Sequence, residues 1–293
     1  MQINPAEIPN AKLHKLLLGA IAPRPIALAS TLDKKGKPNL APFSFFNVFG
    51  VNPTTLIFSP ARRGRDNTTK HTYDNVKEVP EVVINVVTKD IVHQVSLAST
   101  EFPEGTNEFI KSGLTMIPSV SVKPFRVKES PVQIECKVRE VIETGGKGGS
   151  ANLVICEIIT MHVDDAVLDE EGLIDMDKIR LVGRMGGDHY SEAFGKAVFD
   201  VAKPLQSLGI GVDSLPDNVR LSTVLTGNDL GQLANNESLP EEKEISDVSK
   251  KHGVDNLLAG ANDIEQELHL LARDLISHGK VWDALCIVMI SNT

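Results

Sequence analysis

The sequence predicts a mainly β fold of the α+β class: an antiparallel β-barrel with short helices and a helical C-terminal extension. Up to about residue 165, most apolar segments are short, rich in β-branched residues and bounded by turn residues, which is typical of strands. These strands do not alternate regularly with long helices, so a doubly wound parallel sheet is disfavoured and a barrel is favoured. After about residue 200 the pattern becomes helical. We therefore expect a barrel domain over residues 1–200 and an extension over 201–293.

Five strands and two short helices are expected in the first domain. The strands are 26–31, 54–59, 82–87, 132–141 and 152–163, and the helices are 68–79 and 89–98. A polar turn at 33–37 closes a hairpin, and residues 41–47 form a loop of small and aromatic residues. The glycine-rich segment 144–150 could bind phosphate, but a P-loop opens a helix, and here a strand follows. A mobile hairpin loop is the favoured interpretation.

The C-terminal extension is acidic and helical. Residues 229–267 contain ten acidic residues against three lysines. In the segment 263–276, apolar residues recur at helical spacing. The acidic segment 240–247 is interpreted as the start of a solvated helix, and a docking surface for another protein is the alternative.

Composition excludes several classes of function. A net charge of −9 disfavours nucleic acid as a partner. Three cysteines without CxxC spacing suit a reducing compartment, with buried thiols rather than a catalytic one. No segment approaches the ~20 apolar residues of a membrane span. Residues 12–29 resemble a signal peptide, but Pro23, Arg24 and Pro25 interrupt the apolar stretch, so we expect a cytoplasmic protein.

A cluster of cations after the second strand indicates a phosphate site. Arg62, Arg63, Arg65 and Lys70 lie within nine residues. Hydroxyl groups at or near the ends of strands could add hydrogen bonds; they belong to Ser30, Thr31, Ser59, Thr69 and Thr72. A phosphate monoester carries about −1.5 to −2 charges at neutral pH, so charge-assisted hydrogen bonds would hold it well. A solvated basic loop is the alternative.

The segment 41–47 could hold a flat redox ring. Such a ring needs backbone donors and acceptors around its edge and one open face. Pro42 stiffens the turn, and Ser44 and Asn47 offer side-chain hydrogen bonds. Three phenylalanines occur among four positions, although aromatic residues make up only 4% of the chain. The alternative is that these rings belong to the core.

A second candidate site lies in the loop 183–190, after the strand-like segment 179–182. Arg184, His189 and Tyr190 could line a cofactor or substrate, or could form a surface turn. The eight histidines show no HExxH spacing, so no metal site is expected. No GxSxG elbow and no complete GxGxxG segment occurs, which disfavours a serine hydrolase and a Rossmann dinucleotide site.

Several of these segments together resemble a known family. Residues 23–31, the turn 33–37, the segment 38–47, the segment 70–75 and the strand 131–136 are similar to the flavin reductase-like, FMN-binding split-barrel family. That family includes flavoredoxins and the reductase components of two-component monooxygenases. The similarity covers roughly residues 15–195.

This resemblance implies a Greek-key split barrel, a homodimer, and FMN near the subunit interface. It implies that the flavin ring and ribityl chain are held by Ser30, Thr31, Asn39, Ala41, Pro42, Ser44, Phe45, Phe46 and Asn47, and the phosphate by Ser59, Arg62, Lys70 and Thr72. Two departures stand out. The family's Lys-Asp-Thr triplet is Lys70-His71-Thr72 here, and residues after 200 have no counterpart in the smaller members.

The function that the resemblance implies is an NAD(P)H-dependent flavin reductase. Hydride would pass from the nicotinamide to flavin N5, with Arg184, His189 and Tyr190 on the nicotinamide side. The first alternative is a non-enzymatic electron carrier that a protein partner reduces. That partner could be a monooxygenase or another redox protein. The second alternative is a binding module that has lost flavin.

Overall fold

The computed structural model of the chain describes residues 1–204, 208–259 and 261–290. The chain divides into two units, Met1–Phe199 and Asp200–Thr293. The first unit is mainly β, and the second is helical in its described part. The predicted fold class, a split barrel with short helices and a helical C-terminal extension, is confirmed.

The N-terminal unit contains eleven strands and five α-helices. In chain order these are α1 (Asn10–Ala20), β1 (Ala27–Leu32), β2 (Pro38–Phe43), β3 (Phe46–Val51), β4 (Thr54–Phe58), α2 (His71–Glu78), β5 (Glu81–Val86), α3 (Val92–Ala98), α4 (Glu108–Ser112), β6 (Met116–Ile117), β7 (Arg126–Val127), β8 (Val132–Glu143), β9 (Asn152–Val163), α5 (Met176–Ile179), β10 (Val182–Arg184) and β11 (Tyr190–Glu192). All five predicted strands are present, and the glycine-rich segment is the loop of the β8–β9 hairpin.

The main sheet has seven strands in the order β2-β1-β5-β8-β9-β4-β3, all paired antiparallel. Its two edge strands, β2 and β3, are consecutive in the chain and are separated only by Ser44 and Phe45. Three peptide steps span at most about 11 Å. The sheet must therefore curl until its edges approach each other, which makes it a barrel that is split between β2 and β3.

Strand β1 is the most buried strand of the barrel, and all six of its residues are buried. Ala27 and Ala29 belong to an inner cluster that also contains Phe58 and Val76. Leu28, on the other face of β1, packs with the residues of a second cluster that α3 and α4 cover. Four of the six residues of β1 are apolar, and the other two, Ser30 and Thr31, carry buried hydroxyl groups.

The expectation of a loop over 41–47 is wrong, because this segment forms the ends of β2 and β3. Pro42 faces the free edge of the sheet, at a position where the missing N–H breaks no ladder bond. The strand-like segment 179–182 is also corrected: α5 ends at Ile179, Arg180 has a left-handed φ of 54°, and β10 starts at Val182. The two expected helices begin later than the sequence indicates, at His71 and Val92.

The C-terminal unit is built from short helices around its own core. They are α6 (Asp217–Arg220), α7 (Gly227–Leu233), α8 (Glu242–Lys251), α9 (Val254–Leu258), α10 (Ile264–Ser277) and α11 (Val281–Met289). Helix α10 confirms the helical pattern over 263–276. The acidic segment 240–247 starts α8, where Glu241 and Glu244 form a reciprocal capping box. Within the described ranges, no helix is long and apolar enough to cross a membrane.

Candidate functional site

Two of the basic residues after β4, Arg63 and Lys70, line a small cavity of about 40 Å³, which we call the basic cavity. It lies where the N-terminus of α2 and the end of α3 meet the edge strand β2. Its lining residues are Asn39, Ala41, Arg63, Lys70, His71, Thr72, Ala98, Ser99, Thr100, Glu101, Phe102 and Glu108. Four residues that the sequence assigned to a cofactor site are thus brought together: Asn39, Ala41, Lys70 and Thr72.

Three cations of the segment 62–70 pair with one carboxylate, that of Glu101. Glu101 Oε1 accepts hydrogen bonds from Arg63 Nε at 3.0 Å and from Lys70 Nζ at 3.3 Å. Arg65 forms an ion pair with Oε2 of the same residue. Arg63, first among these partners, holds the pKa of Glu101 below its usual value. The carboxylate therefore stays ionised at neutral pH and acts as a counter-ion.

Arg62 is turned away from this cluster and stabilises its own loop. Its Nε donates to Asn67 Oδ1 at 2.9 Å, and its Nη2 donates to Asn67 O at 2.7 Å. Asn67 has a left-handed φ of 59°, which asparagine tolerates better than most residues. The guanidinium beside Lys70 is that of Arg63. The expectation that Arg62 binds phosphate stays a prediction, and Arg63 joins Lys70 as a candidate ligand.

The glycine-rich loop, residues 144–150, is hydrogen-bonded to the backbone of the basic segment, residues 62–70. Arg62 N–H donates to Ser150 O at 3.0 Å, and Gly149 N–H donates to Arg62 O at 3.0 Å. A Cβ atom on Gly148 would lie 2.9 Å from Arg63 O and 3.0 Å from Gly64 O. Only glycine fits there without a shift of the glycine-rich loop or of the backbone that carries Arg63.

A buried polar network fixes α2 on the β1–β2 hairpin. Asn39 Nδ2 donates to Thr72 Oγ1 at 2.9 Å and to Thr31 Oγ1 at 3.3 Å. Asn75 Nδ2 also donates to Thr31 Oγ1, at 3.1 Å. Thr31 is fully buried, whereas Asn39 and Thr72 also line the basic cavity. The network orients Thr72 at the first turn of α2.

The other residues expected around the flavin lie on β1 or near the connection between β2 and β3, and Ser59, expected at the phosphate, follows β4. Ser59 N–H donates to Phe45 O at 2.8 Å, and Ser59 Oγ accepts from Asn152 N–H at 3.3 Å. Pro42, Ser44 and Phe46 are half-buried, and Phe45 is exposed beside the ring of His14. Asn47 is exposed on β3, and its Oδ1 accepts from Val48 N–H. Ser30 is fully buried, its hydroxyl has no hydrogen-bond partner, and it lies on the face of β1 opposite Thr31.

The sequence interpretation missed two acidic residues of the basic cavity, Glu101 and Glu108. Glu108 is only 5% exposed, and its Oε2 accepts from Leu40 N–H at 3.0 Å on the free edge of β2. Burial raises the pKa of Glu108 above its usual value. Neither glutamate lies in a recognisable motif, and both are more than thirty residues from the cations in the chain.

Arg184, His189 and Tyr190 come together in the β10–β11 hairpin. The Arg184 guanidinium stacks 4.6 Å from the centre of the Tyr190 ring, and its Nη1 donates to His189 O at 3.1 Å. Tyr190 also lines a separate cavity of about 390 Å³ with Lys89, His93 and Ser96. That cavity shares no lining residue with the basic cavity. The expectation that these three residues face a nicotinamide stays a prediction.

The cysteines and potential metal ligands do not form a second site in the described part of the chain. Burial raises the pKa of Cys136 to about 12 and that of Cys286 to about 11, and Cys156 is shifted in the same direction. All three thiols are free and buried, as the sequence predicted. Among the described residues, no group of three or more His, Cys, Asp or Glu side chains is placed to hold a metal ion.

Known proteins are similar to this chain in sequence and in fold. A protein of Aquifex aeolicus, itself uncharacterized, is 39% identical over 189 residues, which are 64% of this chain and 94% of that protein. Nitrilotriacetate monooxygenase component B from Bacillus cereus superposes with a TM-score of 0.64 at 28% identity, covering 69% of this chain and 98% of its own. The 2-nitrobenzoate 2-nitroreductase of Pseudomonas fluorescens gives a TM-score of 0.61 at 27% identity, covering 71% and 100%.

Residues 19–180 match the flavin reductase like domain. The matched residues make up more than half of the chain and include every residue that lines the basic cavity. The strand order, the split between β2 and β3 and the basic segment at α2 all lie inside this match. The chain therefore belongs to the flavin reductase-like family.

Proposed function

We propose that the N-terminal unit binds FMN and reduces it with NAD(P)H. The observation that supports this most directly is the convergence of Lys70, Arg63 and Thr72 at the N-terminus of α2. Two cations and a hydroxyl group suit the dianionic phosphate of a flavin mononucleotide. Family membership favours a flavin as the ligand.

The start of α2 offers further donors for a phosphate. Lys70 is the N-cap residue, and its side chain makes no capping hydrogen bond. Helix N-termini leave backbone N–H groups without intrahelical partners and carry partial positive charge. An anion at this end of α2 would satisfy those donors. The residues present therefore fit a phosphate group.

The flavin ring would lie at the barrel split, where β2 crosses to β3. Ala41 lines the basic cavity and leads directly into the crossing at Ser44 and Phe45. The free edges of β2 and β3 offer backbone groups to the ring's heteroatoms. When bound, FMN would supply the hydride-accepting chemistry. The protein would orient the ring, hold its phosphate and leave one face open to the nicotinamide.

The first experiment is a visible spectrum of the purified protein after incubation with FMN, followed by anaerobic addition of NADH or NADPH. We expect flavin bands that bleach when the nicotinamide is added, together with oxidation of the nicotinamide in air. A protein that cannot be reconstituted with FMN would contradict the proposal. Bound FMN without any nicotinamide oxidation would leave binding intact and reject the reductase activity.

A second experiment tests the phosphate site. Lys70→Ala should weaken the binding of FMN by about tenfold or more and leave the binding of riboflavin nearly unchanged, because riboflavin lacks the phosphate. Lys196→Ala is the matched control, since this exposed lysine lines none of the cavities described above. Titration by flavin fluorescence measures both affinities. Equal losses for FMN and riboflavin would place the phosphate elsewhere.

We also propose that the chain forms a homodimer through the edge strand β3. Val48, Phe49 and Val51 are exposed there by 55%, 64% and 84%. An apolar edge strand is prone to association, and a second copy of the chain would cover it. Phe49→Glu should convert a dimer into a monomer in analytical ultracentrifugation. A wild-type chain that sediments as a monomer would reject this part of the proposal.

An electron carrier reduced by a protein partner is a second candidate, and the charge of the C-terminal unit favours it. Residues 200–293 contain fifteen acidic and seven basic residues, so they carry −8 of the chain's net charge of −9. Such a surface can steer a basic redox partner. Tight retention of FMN with negligible NAD(P)H oxidation would favour the carrier over the reductase.

A further inference from the structure

We propose that Glu101 is an internal counter-ion that competes with the flavin phosphate for the basic cavity, so that FMN exchanges rather than remaining permanently bound. This inference rests on the proposed function and concerns the same site. It assigns a role to a residue that lies outside the segments resembling the family's flavin site.

The contacts of Glu101 are those that a phosphate would make. Its Oε1 accepts from Arg63 at 3.0 Å and from Lys70 at 3.3 Å, and its Oε2 pairs with Arg65. A carboxylate and a phosphate oxygen compete for the same cationic donors, because both are anionic acceptors that guanidinium groups bind well. Arg63 and Lys70, the two cations that line the cavity, would meet the phosphate only after sharing or releasing the glutamate.

The size of the cavity agrees with this competition. With the Glu101 side chain in place, the basic cavity measures about 40 Å³. Since a buried water needs roughly 10–15 Å³ of such volume, the space holds a few waters rather than a phosphate with its ribityl chain. Movement of one side chain would enlarge the cavity at the point where the cations converge.

Glu101 can leave the cavity without loss of the fold. It lies in the connection between α3 and α4, and its side chain is 36% exposed. The surrounding turn is held by its own backbone, because Thr100 N–H donates to Leu97 O and Thr106 N–H donates to Pro103 O. Water can solvate the displaced carboxylate, and the more exposed pairs of Glu101, with Arg65 and Lys70, are weak enough to break.

The displaced carboxylate remains near the bound phosphate. Two like charges at short distance repel each other, and the repulsion lowers the affinity for FMN while leaving riboflavin unaffected. The neutral analogue Glu101→Gln keeps the shape of the side chain but removes both the competition and the repulsion. The matched control is Glu104→Gln, which removes the same charge three residues away on an exposed part of the same connection.

The experiment measures FMN and riboflavin affinities by fluorescence titration for the wild-type chain, Glu101→Gln and Glu104→Gln. We expect Glu101→Gln to bind FMN about tenfold more tightly and to retain it through gel filtration. The affinity of Glu101→Gln for riboflavin should change by less than about twofold. Glu104→Gln should bind both ligands with the affinity of the wild-type chain. Higher salt should narrow the difference between Glu101→Gln and the wild type, because screening weakens the repulsion.

Three outcomes would overturn the inference. Unchanged FMN affinity in Glu101→Gln would mean that the carboxylate does not compete. Weaker FMN binding would mean that Glu101 orders the cations for the ligand. An equal change in the affinities for FMN and riboflavin would indicate a general structural effect of the substitution. If Lys70→Ala still weakens FMN binding more than riboflavin binding in any of these cases, the proposed function stands. A wild-type chain that binds no FMN would reject both the proposed function and the inference about Glu101.

Discussion

His269 is a buried titratable side chain in the core of the C-terminal unit, only 2% exposed. Its Nδ1 lies 2.8 Å from Ser222 Oγ, which itself accepts from Val224 N–H and Leu225 N–H. The hydroxyl hydrogen of Ser222 is therefore directed at Nδ1, and the imidazole proton resides on Nε2, which has no hydrogen-bond partner. Burial lowers the pKa of His269, although the nearby carboxylates of Glu265 and Asp263 act in the opposite direction.

This lowered pKa predicts that the C-terminal unit loses stability in mild acid. Below about pH 6.5 the unfolded chain binds a proton that the folded chain does not, so the free energy of unfolding falls as pH falls. The loss should grow as pH falls below about 6.5 and be nearly absent above pH 7.5. Trp282, the single tryptophan, packs against this core and reports unfolding in urea by its fluorescence. If the free energy of unfolding of His269→Gln depends on pH as strongly as that of the wild-type chain, a group other than His269 is responsible.

At the scale of elements, the phosphate site is assembled from segments that are distant in the chain. The basic segment after β4 supplies the cations, α2 supplies the amides, and the glycine-rich loop of the β8–β9 hairpin supports the backbone. The sequence predicts each of these segments separately. It does not predict that Gly149 and Ser150 hydrogen-bond to Arg62, because those partners are more than eighty residues apart.

The close contact between Gly148 and the backbone of Arg63 should affect flavin binding. Gly148→Ala places a Cβ 2.9 Å from Arg63 O, so the backbone must shift, and a shift of the segment that carries Arg63 would displace its guanidinium. We expect FMN affinity to fall by about tenfold, with a smaller change for riboflavin. Gly146→Ala is the matched control, because nothing lies within 4 Å of its added Cβ. Comparable FMN losses in both variants would show that the close contact at Gly148 is not the cause.

At the scale of the whole molecule, the two units have separate cores. Both clusters of the N-terminal unit end before residue 183, and the C-terminal cluster begins at Leu215. The match to the flavin reductase like domain ends at residue 180. The proposed flavin site uses residues of the N-terminal unit only.

We therefore expect a chain truncated after Phe199 to fold and to bind FMN with the affinity of the full chain. Circular dichroism should show retained β structure with reduced helical signal, and flavin titration should give an unchanged dissociation constant. If the acidic unit steers a redox partner, truncation should slow reduction of that partner, and the effect should be largest at low ionic strength. Loss of FMN binding on truncation would contradict the assignment of the site to residues 1–199.

Local patterns in the amino-acid sequence predict the barrel class, five of its strands, the acidic helical extension and the basic segment beside α2. These features depend on local periodicity, turn residues and composition, which a linear reading captures. Three features emerge only in the folded chain: Arg63 rather than Arg62 lies beside Lys70, residues 41–47 form the ends of two edge strands, and Glu101 pairs with the cations. The physical reason is that these features depend on strand pairing and on contacts such as Arg63–Glu101, which joins residues 38 positions apart. Such partners are chosen by the closure of the sheet, not by any neighbouring residue.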